Sequence, residues 1–322
     1  MSADNYPLVS IVTPAYNQAE FLRETIESVL SQDYPRIEYL VLDDGSTDET
    51  PQVLAEYEGR VRWQRHANMG QTPTINKGWQ LATGDVVTWL NSDDTFLPGA
   101  VRKGVEYLMS HSETGIVFGD SLFTEADGTP LERTKPPAGD RFDYLTFVVE
   151  CENPIAQPSA FIRRAVVEDV GLLDPSYYYF MDWDFWLRAG ARHRIDYIPE
   201  LLSTYRLHAE SKTVAQAARA APELEYMYEK FFALEGLPAE VLKVKDRATA
   251  NMLFTSGAYY LKGGVPEKAS EVARRALEVY PGALASPRML HKFLYCRMSE
   301  SALYRKSRQV YRGARALLGS SG

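Results

Sequence analysis

Asp85-Val-Val-Thr-Trp-Leu-Asn-Ser-Asp-Asp-Thr95 opens as an apolar run and closes on acid. Val86, Val87, Trp89 and Leu90 follow the Gly84 breaker, and their β-branched or aromatic side chains are those of a buried strand. Asn91, Ser92, Asp93 and Asp94 come straight after, and Pro98 leads into a helical pattern. In open α/β sheets, ligands collect outside the carboxyl ends of the strands. Two adjacent carboxylates repel unless a cation lies beside them. Hard oxygen ligands of this kind suit Mg²⁺ or Mn²⁺ rather than zinc.

Working outward, Leu8 to Thr13 and Ile37 to Leu42 repeat the same design, an apolar run closed by polar residues. The second ends in Asp43-Asp44-Gly45-Ser46, and Ser46 with Glu49 reads as a capping box for the next helix. Helical spacing fills the segments from Glu20 to Gln32, from Thr72 to Leu81 and from Pro98 to Ser110. Val61 to Gln64 and Ile116 to Gly119 are further short strands. Strands alternating with helices predict a parallel sheet with helices on both faces. Right-handed crossovers then bring Pro14 to Asn17, Asp43 to Ser46 and Asn91 to Asp94 to one crevice. Gly128 to Glu152 reads as loop. Ile195 to Ile198 and Ser203 to Leu207 read as two strands, and Met181 to Ala191 as a helix. Beyond about Ala215 the strand signal disappears, which predicts two domains, 1–213 and an all-α region over 214–322.

The chain has 322 residues and a net charge of −8. From Arg288 onward the balance is +7, with Glu300 the one acid, which leaves −15 on the rest. An acidic body argues against nucleic acid as a partner. No apolar run is long enough to cross a membrane, and the first residues lack a signal peptide's basic flank and apolar stretch. Cys151 and Cys296 have no metal or redox spacing and read as free thiols. Together these features predict a cytoplasmic protein.

Three ordered segments carry a resemblance: VSIVTPAYNQAEFLRETIESVLSQDYPRIEYLVLDDGSTDET, GQTPTINKGWQLATGDVVTWLNSDD and QPSAFIRRAVVEDVGLLDPSYYYFMDWDFWLR. Over about residues 8 to 210 the chain resembles the family 2 glycosyltransferases. The resemblance implies the α/β fold named GT-A, with a Rossmann-like, mostly parallel central sheet. It implies an inverting transfer of one sugar from a nucleoside-diphosphate donor, UDP-linked for preference, to a glycan or lipid-linked acceptor. It also implies site residues. Pro14, Ala15 and Tyr16 would line the base, and Asp44 would bond it. Asn17, Gln71, Asn76, Asn91, Ser92 and Asp94 would complete the donor site. Asp93 would hold the divalent metal, Mn²⁺ or Mg²⁺, with His208 as a further contact. Asp182 would be the catalytic base, and Gln157, Trp183 and Asp184 would stand on the acceptor side.

Two positions depart from the family pattern. Asn91 stands where an aspartate is usual, and Met181 stands where Glu usually precedes the base. These departures open a second reading, a catalytically weak member that binds nucleotide sugars or glycans. No Q-x-x-R-W follows Asp182, so nothing points to the family's processive synthases.

Why such chemistry needs these residues is general. A departing diphosphate gathers negative charge, and a divalent cation stabilises it. An attacking hydroxyl has a very high pKa, so a carboxylate must take its proton. A single displacement with one base inverts the anomeric carbon.

Tyr259 to Pro281 resembles one tetratricopeptide-like hairpin, with Gly264 in the turn and Ala269, Ala273 and Ala276 allowing close approach. Residues 288–318 mix basic side chains with Leu294, Leu303, Tyr304, Val310 and Tyr311. That composition suits either peripheral contact with an anionic membrane or a basic face packed on acid.

Overall fold

The computed structural model describes residues 6–137, 139, 141–208 and 217–298. The strands are β1 (Val9–Ala15), β2 (Ile37–Asp43), β3 (Arg62–Arg65), β4 (Val86–Trp89), β5 (Thr95–Phe96), β6 (Thr114–Thr124), β7 (Pro130–Arg133), β8 (Phe161–Arg163) and β9 (Arg194–Arg206). The helices are α1 (Ala19–Leu30), α2 (Thr50–Ala55), α3 (Gln71–Leu81), α4 (Ala100–Ser110), α5 (Tyr144–Glu150), α6 (Arg164–Val170), α7 (Met181–Gly190), α8 (Ala217–Phe232), α9 (Ala239–Lys243), α10 (Lys245–Lys262), α11 (Pro266–Val279) and α12 (Pro287–Met298).

The chain divides into two compact units. The first is Met1–Tyr144 with Asn153–Ala209; the second is Leu145–Glu152 with Glu210–Gly322. The boundary expected near residue 213 falls among 209–216, outside the described residues.

The first unit holds one nine-stranded sheet in the order β3-β2-β1-β4-β8-β6-β9-β5, with β7 on β6. Its first four strands run parallel, as the alternating pattern predicts. Beyond β4 the sheet is mixed: β8 lies antiparallel between β4 and β6, and β9 is parallel to β6. Both faces are buried. Val9, Ile11, Val41 and Val86 pack with Leu22 and Ile26 of α1 and Val101 and Val105 of α4. On the opposite face Trp89 meets Trp79 of α3 at 5.4 Å and stacks on Trp186 of α7 at 5.8 Å. That alternation is the two-residue period of a strand covered on both sides.

Gly78 lets α3 press onto β1, because a Cβ there would collide with the Val12 side chain. Gly78→Ala should therefore lower stability by about 1–3 kcal/mol through overpacking, less the ~1 kcal/mol that alanine gains in a helix. A thermal melt checks this, and a raised Tm, the helix gain of alanine with no overpacking cost, would contradict the close approach.

Three local expectations are corrected. Ser46 does not cap α2; its Oγ accepts from the Asn17 N–H at 3.0 Å, and Asp48 Oδ1 accepts from Thr50 N–H at 2.9 Å. The two strands read over 195–207 are one strand, β9, whose register with β6 shifts around Pro199 and Glu200. The Glu200 carbonyl crowds Gly119 there, where a side chain would not fit. The loop read over 128–152 contains β7 and α5, both too short to show a period in sequence.

The second unit is helical. α10 and α11 form the expected hairpin, with Gly264 at φ +85° in the turn and Ala269, Ala273 and Ala276 buried. Cys151 and Cys296 are buried free thiols. Glu150 and Glu152 receive Arg288, and Arg247 also reaches Glu150. No helix among the described residues is long and apolar enough to cross a membrane. Residues 299–322, most of the basic segment, lie outside the described residues.

Candidate active site

The carboxyl ends of β1, β2 and β4 lie on one edge of the sheet. Register pairs Ala15 with Asp43 and Val12 with Trp89, so the segments after them emerge side by side. Pro14 and Ala15 are buried in β1, and Tyr16 emerges 47% exposed at its end. Asn17, at φ +52°, turns the chain and accepts on Oδ1 from the Thr47 N–H at 2.8 Å. Asn17 thus ties the β1 end to the β2 end.

Asp44 is buried and holds a loop. Its Oδ1 accepts from the Met69 N–H at 2.7 Å and its Oδ2 from the Gly70 N–H at 2.9 Å. Gly45 at φ +76° is pressed against the same loop, where a Cβ would meet the Asn68 nitrogen. Asp43 is also buried, takes the Ser46 N–H at 2.9 Å and faces Arg65 at 3.3 Å.

Beyond β4 lies a connected amide network. Gln71 Nε2 donates to Asn91 Oδ1 at 2.8 Å. Asn91 Nδ2 donates to Asp94 Oδ2 and to Gln157 Oε1, both at 3.1 Å. Gln157 Nε2 closes on the Trp89 carbonyl at 2.7 Å. The second oxygen of Asp94 accepts from the Arg206 backbone N–H at 3.0 Å. Burial, and then the charge of Asp93, push the Asp94 carboxyl well above the usual carboxylate range.

Asp93 points elsewhere. Its Oδ2 lies 2.9 Å from His208 Nε2, and its side chain keeps 21% exposure. His208 packs against Phe21 at 5.1 Å between rings. Arg206 braces the whole group while itself only 3% exposed. Its Nε donates to the Asp93 carbonyl at 2.9 Å, Nη1 to the Ala126 carbonyl at 2.7 Å and Nη2 to Glu24 at 2.5 Å. Its guanidinium also lies over the Phe21 ring at 4.9 Å.

Asp182 stands in the first turn of α7. The residue before it, Met181, receives the Thr72 hydroxyl on its sulfur at 2.7 Å, next to Gln71 of the amide network. Burial pushes the Asp182 carboxyl up to about 6, against backbone N–H groups that lower it.

A model of the family described as glycosyl transferase family 2 matches residues 10–171. The chain belongs to that family.

An uncharacterised glycosyltransferase of Rickettsia prowazekii is 27% identical over 263 residues, 80% of this chain and 81% of that protein. The putative teichuronic acid biosynthesis glycosyltransferase TuaG of Bacillus subtilis is 36% identical over 132 residues, 39% of this chain and 52% of its own. Among solved structures, S. aureus TarS 1-349 in complex with UDP-GlcNAc has a TM-score of 0.66 at 16% identity, covering 95% of this chain and 92% of that one. Mannosyltransferase PcManGT from Pyrobaculum calidifontis, in complex with GDP-Man and Mn²⁺, has a TM-score of 0.56 at 19% identity, covering 92% and 88%. These two structures share the fold, which is GT-A.

In this family 2 glycosyltransferase several of the expected site residues are engaged within the protein. Asn76, expected in the donor site, clamps Leu173: its Nδ2 donates to the Leu173 carbonyl at 2.7 Å while its Oδ1 accepts from the Leu173 N–H at 3.0 Å. Asp184 is 3% exposed and bonded to Arg188 at 2.8 Å, which in turn donates to the Val170 and Leu172 carbonyls. It anchors α7 through Arg188. Trp183 offers no open stacking face, being 6% exposed and set edge-on to Phe180. Gln157 and Ser92 are likewise buried, and Gln157 serves the amide network. Arg206, two residues before His208, has no role among the sequence expectations. An arginine near the end of a strand otherwise turned inward is the signal that was available.

Proposed function

We propose that this glycosyltransferase moves a single sugar from a nucleoside-diphosphate donor, UDP-linked by preference, to a hydroxyl of a glycan or lipid-linked glycan, with inversion, in cell-surface polysaccharide synthesis. The observation that carries the reading is the Asp93–His208 pair beside the carboxyl ends of the strands. In an octahedral site with bonds of 2.0–2.1 Å, neighbouring donor atoms lie about 3 Å apart. The 2.9 Å between Asp93 Oδ2 and His208 Nε2 fits two donors to one such cation. No group of three or more His, Cys, Asp or Glu side chains suited to a metal occurs among the described residues. Two protein donors leave room for donor phosphates and water, the habit of Mg²⁺-type sites. When bound, the cation would act as a Lewis acid toward the leaving diphosphate.

The chain's own residues carry the remaining roles. Arg206 fixes the Asp93 carbonyl through its guanidinium and the Asp94 carboxylate through its backbone N–H, so these groups are held before substrate arrives. The exposed ring of Tyr16 at the end of β1 suits a nucleotide base. Asp182 takes the acceptor hydroxyl's proton. With its carboxyl near 6 it is still ionised at neutral pH, yet more basic than a solvated carboxylate. UDP-GlcNAc and GDP-Man in the related structures, and the teichuronic acid role proposed for TuaG, support the donor class and the cell-surface setting. The reading places the protein in the cytoplasm, where the basic segment over 288–318 would meet the inner membrane face.

A thermal-shift screen of nucleotide sugars with Mn²⁺ tests the donor. At 100 times its Kd a ligand adds about 2.7 kcal/mol, which should raise Tm by roughly 5 °C or more. UDP-sugars should give the largest shift, and the shift should shrink with a chelator. A screen in which no nucleotide sugar shifts Tm would refute the reading.

A further inference from the structure

A concavity lies far from the Asp93–His208 pair. It is an open cleft of about 500 Å³ with a mainly polar lining. Its walls include Tyr107, Arg141, Phe142, Tyr144, Arg194 and Tyr197. Along β6 and β9, Thr114 pairs with Arg194 and Thr124 with Arg206. The cleft therefore opens where these strands begin, and the bracing Arg206 sits where they end. At about 3.3 Å per residue the two are roughly 30 Å apart.

The aromatic walls are held from behind. Tyr107 stacks on His111 at 4.0 Å, and Phe142 and Tyr197 both rest on Phe118, at 5.6 and 5.4 Å. The Tyr144 hydroxyl donates to the Leu187 carbonyl at 2.7 Å, and the Tyr197 hydroxyl to Asp120 at 2.9 Å. Arg194 is already bonded to Asp196 at 2.8 Å and reaches Glu113 at 3.4 Å. Arg141 differs. It is exposed and makes no hydrogen bond or ion pair among the described residues.

We propose that this cleft binds an anionic saccharide unit, with the sugar's C–H faces against the tyrosine and phenylalanine rings and its carboxylate or phosphate on Arg141. The volume suits a small ligand. A mainly polar lining disfavours a lipid chain, whereas rigid aromatic rings beside polar groups match the amphipathic surface of a pyranose. A guanidinium with no partner among the described residues is the group most able to take a planar or tetrahedral anion. In naming the saccharide as part of an acceptor polymer the inference rests on the proposed function; the binding itself does not. A growing acidic glycan held here would stay tethered while its end reaches the transfer site.

The test is calorimetric titration of the full chain with UDP and Mn²⁺ saturating the transfer site. Digalacturonate supplies the carboxylate, glucose 6-phosphate the phosphate, and maltose the neutral control. At least one acidic probe should bind roughly tenfold tighter than maltose. Arg141→Ala should bring it to the maltose level, Arg141→Lys should retain most of the affinity, and neither should change donor turnover. Which acidic probe wins distinguishes carboxylate from phosphate. Equal binding of acidic and neutral probes, no effect of Arg141→Ala, or competition by UDP would overturn the inference. Because the readout is binding with the transfer site filled, its failure leaves the thermal-shift result on the donor untouched.

Discussion

Asp182→Asn is expected to cut sugar transfer by roughly 10²–10⁴-fold, the usual contribution of a positioned general base. The amide keeps the size and can still accept the backbone N–H groups at the start of α7, but it cannot take a proton. Nucleotide-sugar binding should persist, because the Asp93–His208 pair and the amide network do not include Asp182. The same assignment fixes a pH dependence. With the carboxyl raised to about 6, turnover should fall as pH drops below about 6, by up to tenfold per unit. The stability effect has the opposite sign. A carboxyl raised above its ordinary value of 3.8 favours the folded state at low pH, and that contribution is lost as pH rises through about 6. At pH 7.5 the asparagine variant should therefore be at least as heat-stable as the parent. Full turnover in Asp182→Asn would remove the base assignment, and low turnover with a lowered Tm would point to a folding defect instead.

Asn91→Asp should damage the protein, although it restores the residue more usual in the family. Asn91 Nδ2 gives its protons to Asp94 and Gln157. A carboxylate would face both with acceptors only, and Gln157 cannot turn its amide round without giving up the Trp89 carbonyl. Each buried acceptor left unpaired costs about 1–3 kcal/mol, and like charge beside Asp94 adds to it. A Tm lower by about 5 °C or more is expected, with transfer reduced at least tenfold. A variant as stable and as active as the parent would show that the network does not set the position of Asp94. On this view asparagine at 91 is an adaptation to its amide neighbours. Met181 is similar, since its sulfur is engaged with Thr72 where the family usually has an acid.

Much of this molecule could be read along the chain. The parallel half of the sheet follows from short apolar runs alternating with helical periods, and both signals are local. The shared edge follows from topology, because right-handed crossovers put the ends of β1, β2 and β4 side by side. Asp93, His208 and Asp182 were legible only as members of ordered motifs, since a single acid or histidine in sequence is indistinguishable from a solvated one. The three-dimensional arrangement alone decided what each polar group spends its hydrogen bonds on. Asn76 and Asp184 looked like ligand contacts by position, yet each gives its side chain to a partner within the protein. Motif spacing has no access to that pairing, because the partners, Leu173 for Asn76 and Arg188 for Asp184, are chosen by packing. Arg206 shows the same limit from the other side. Its role comes from Glu24, Asp93, Asp94 and Ala126, which meet only when the chain is folded. Patterns of hydrophobicity therefore settled where the backbone goes, while the pairing of buried polar atoms, a long-range matter, settled which side chains remain open to a substrate.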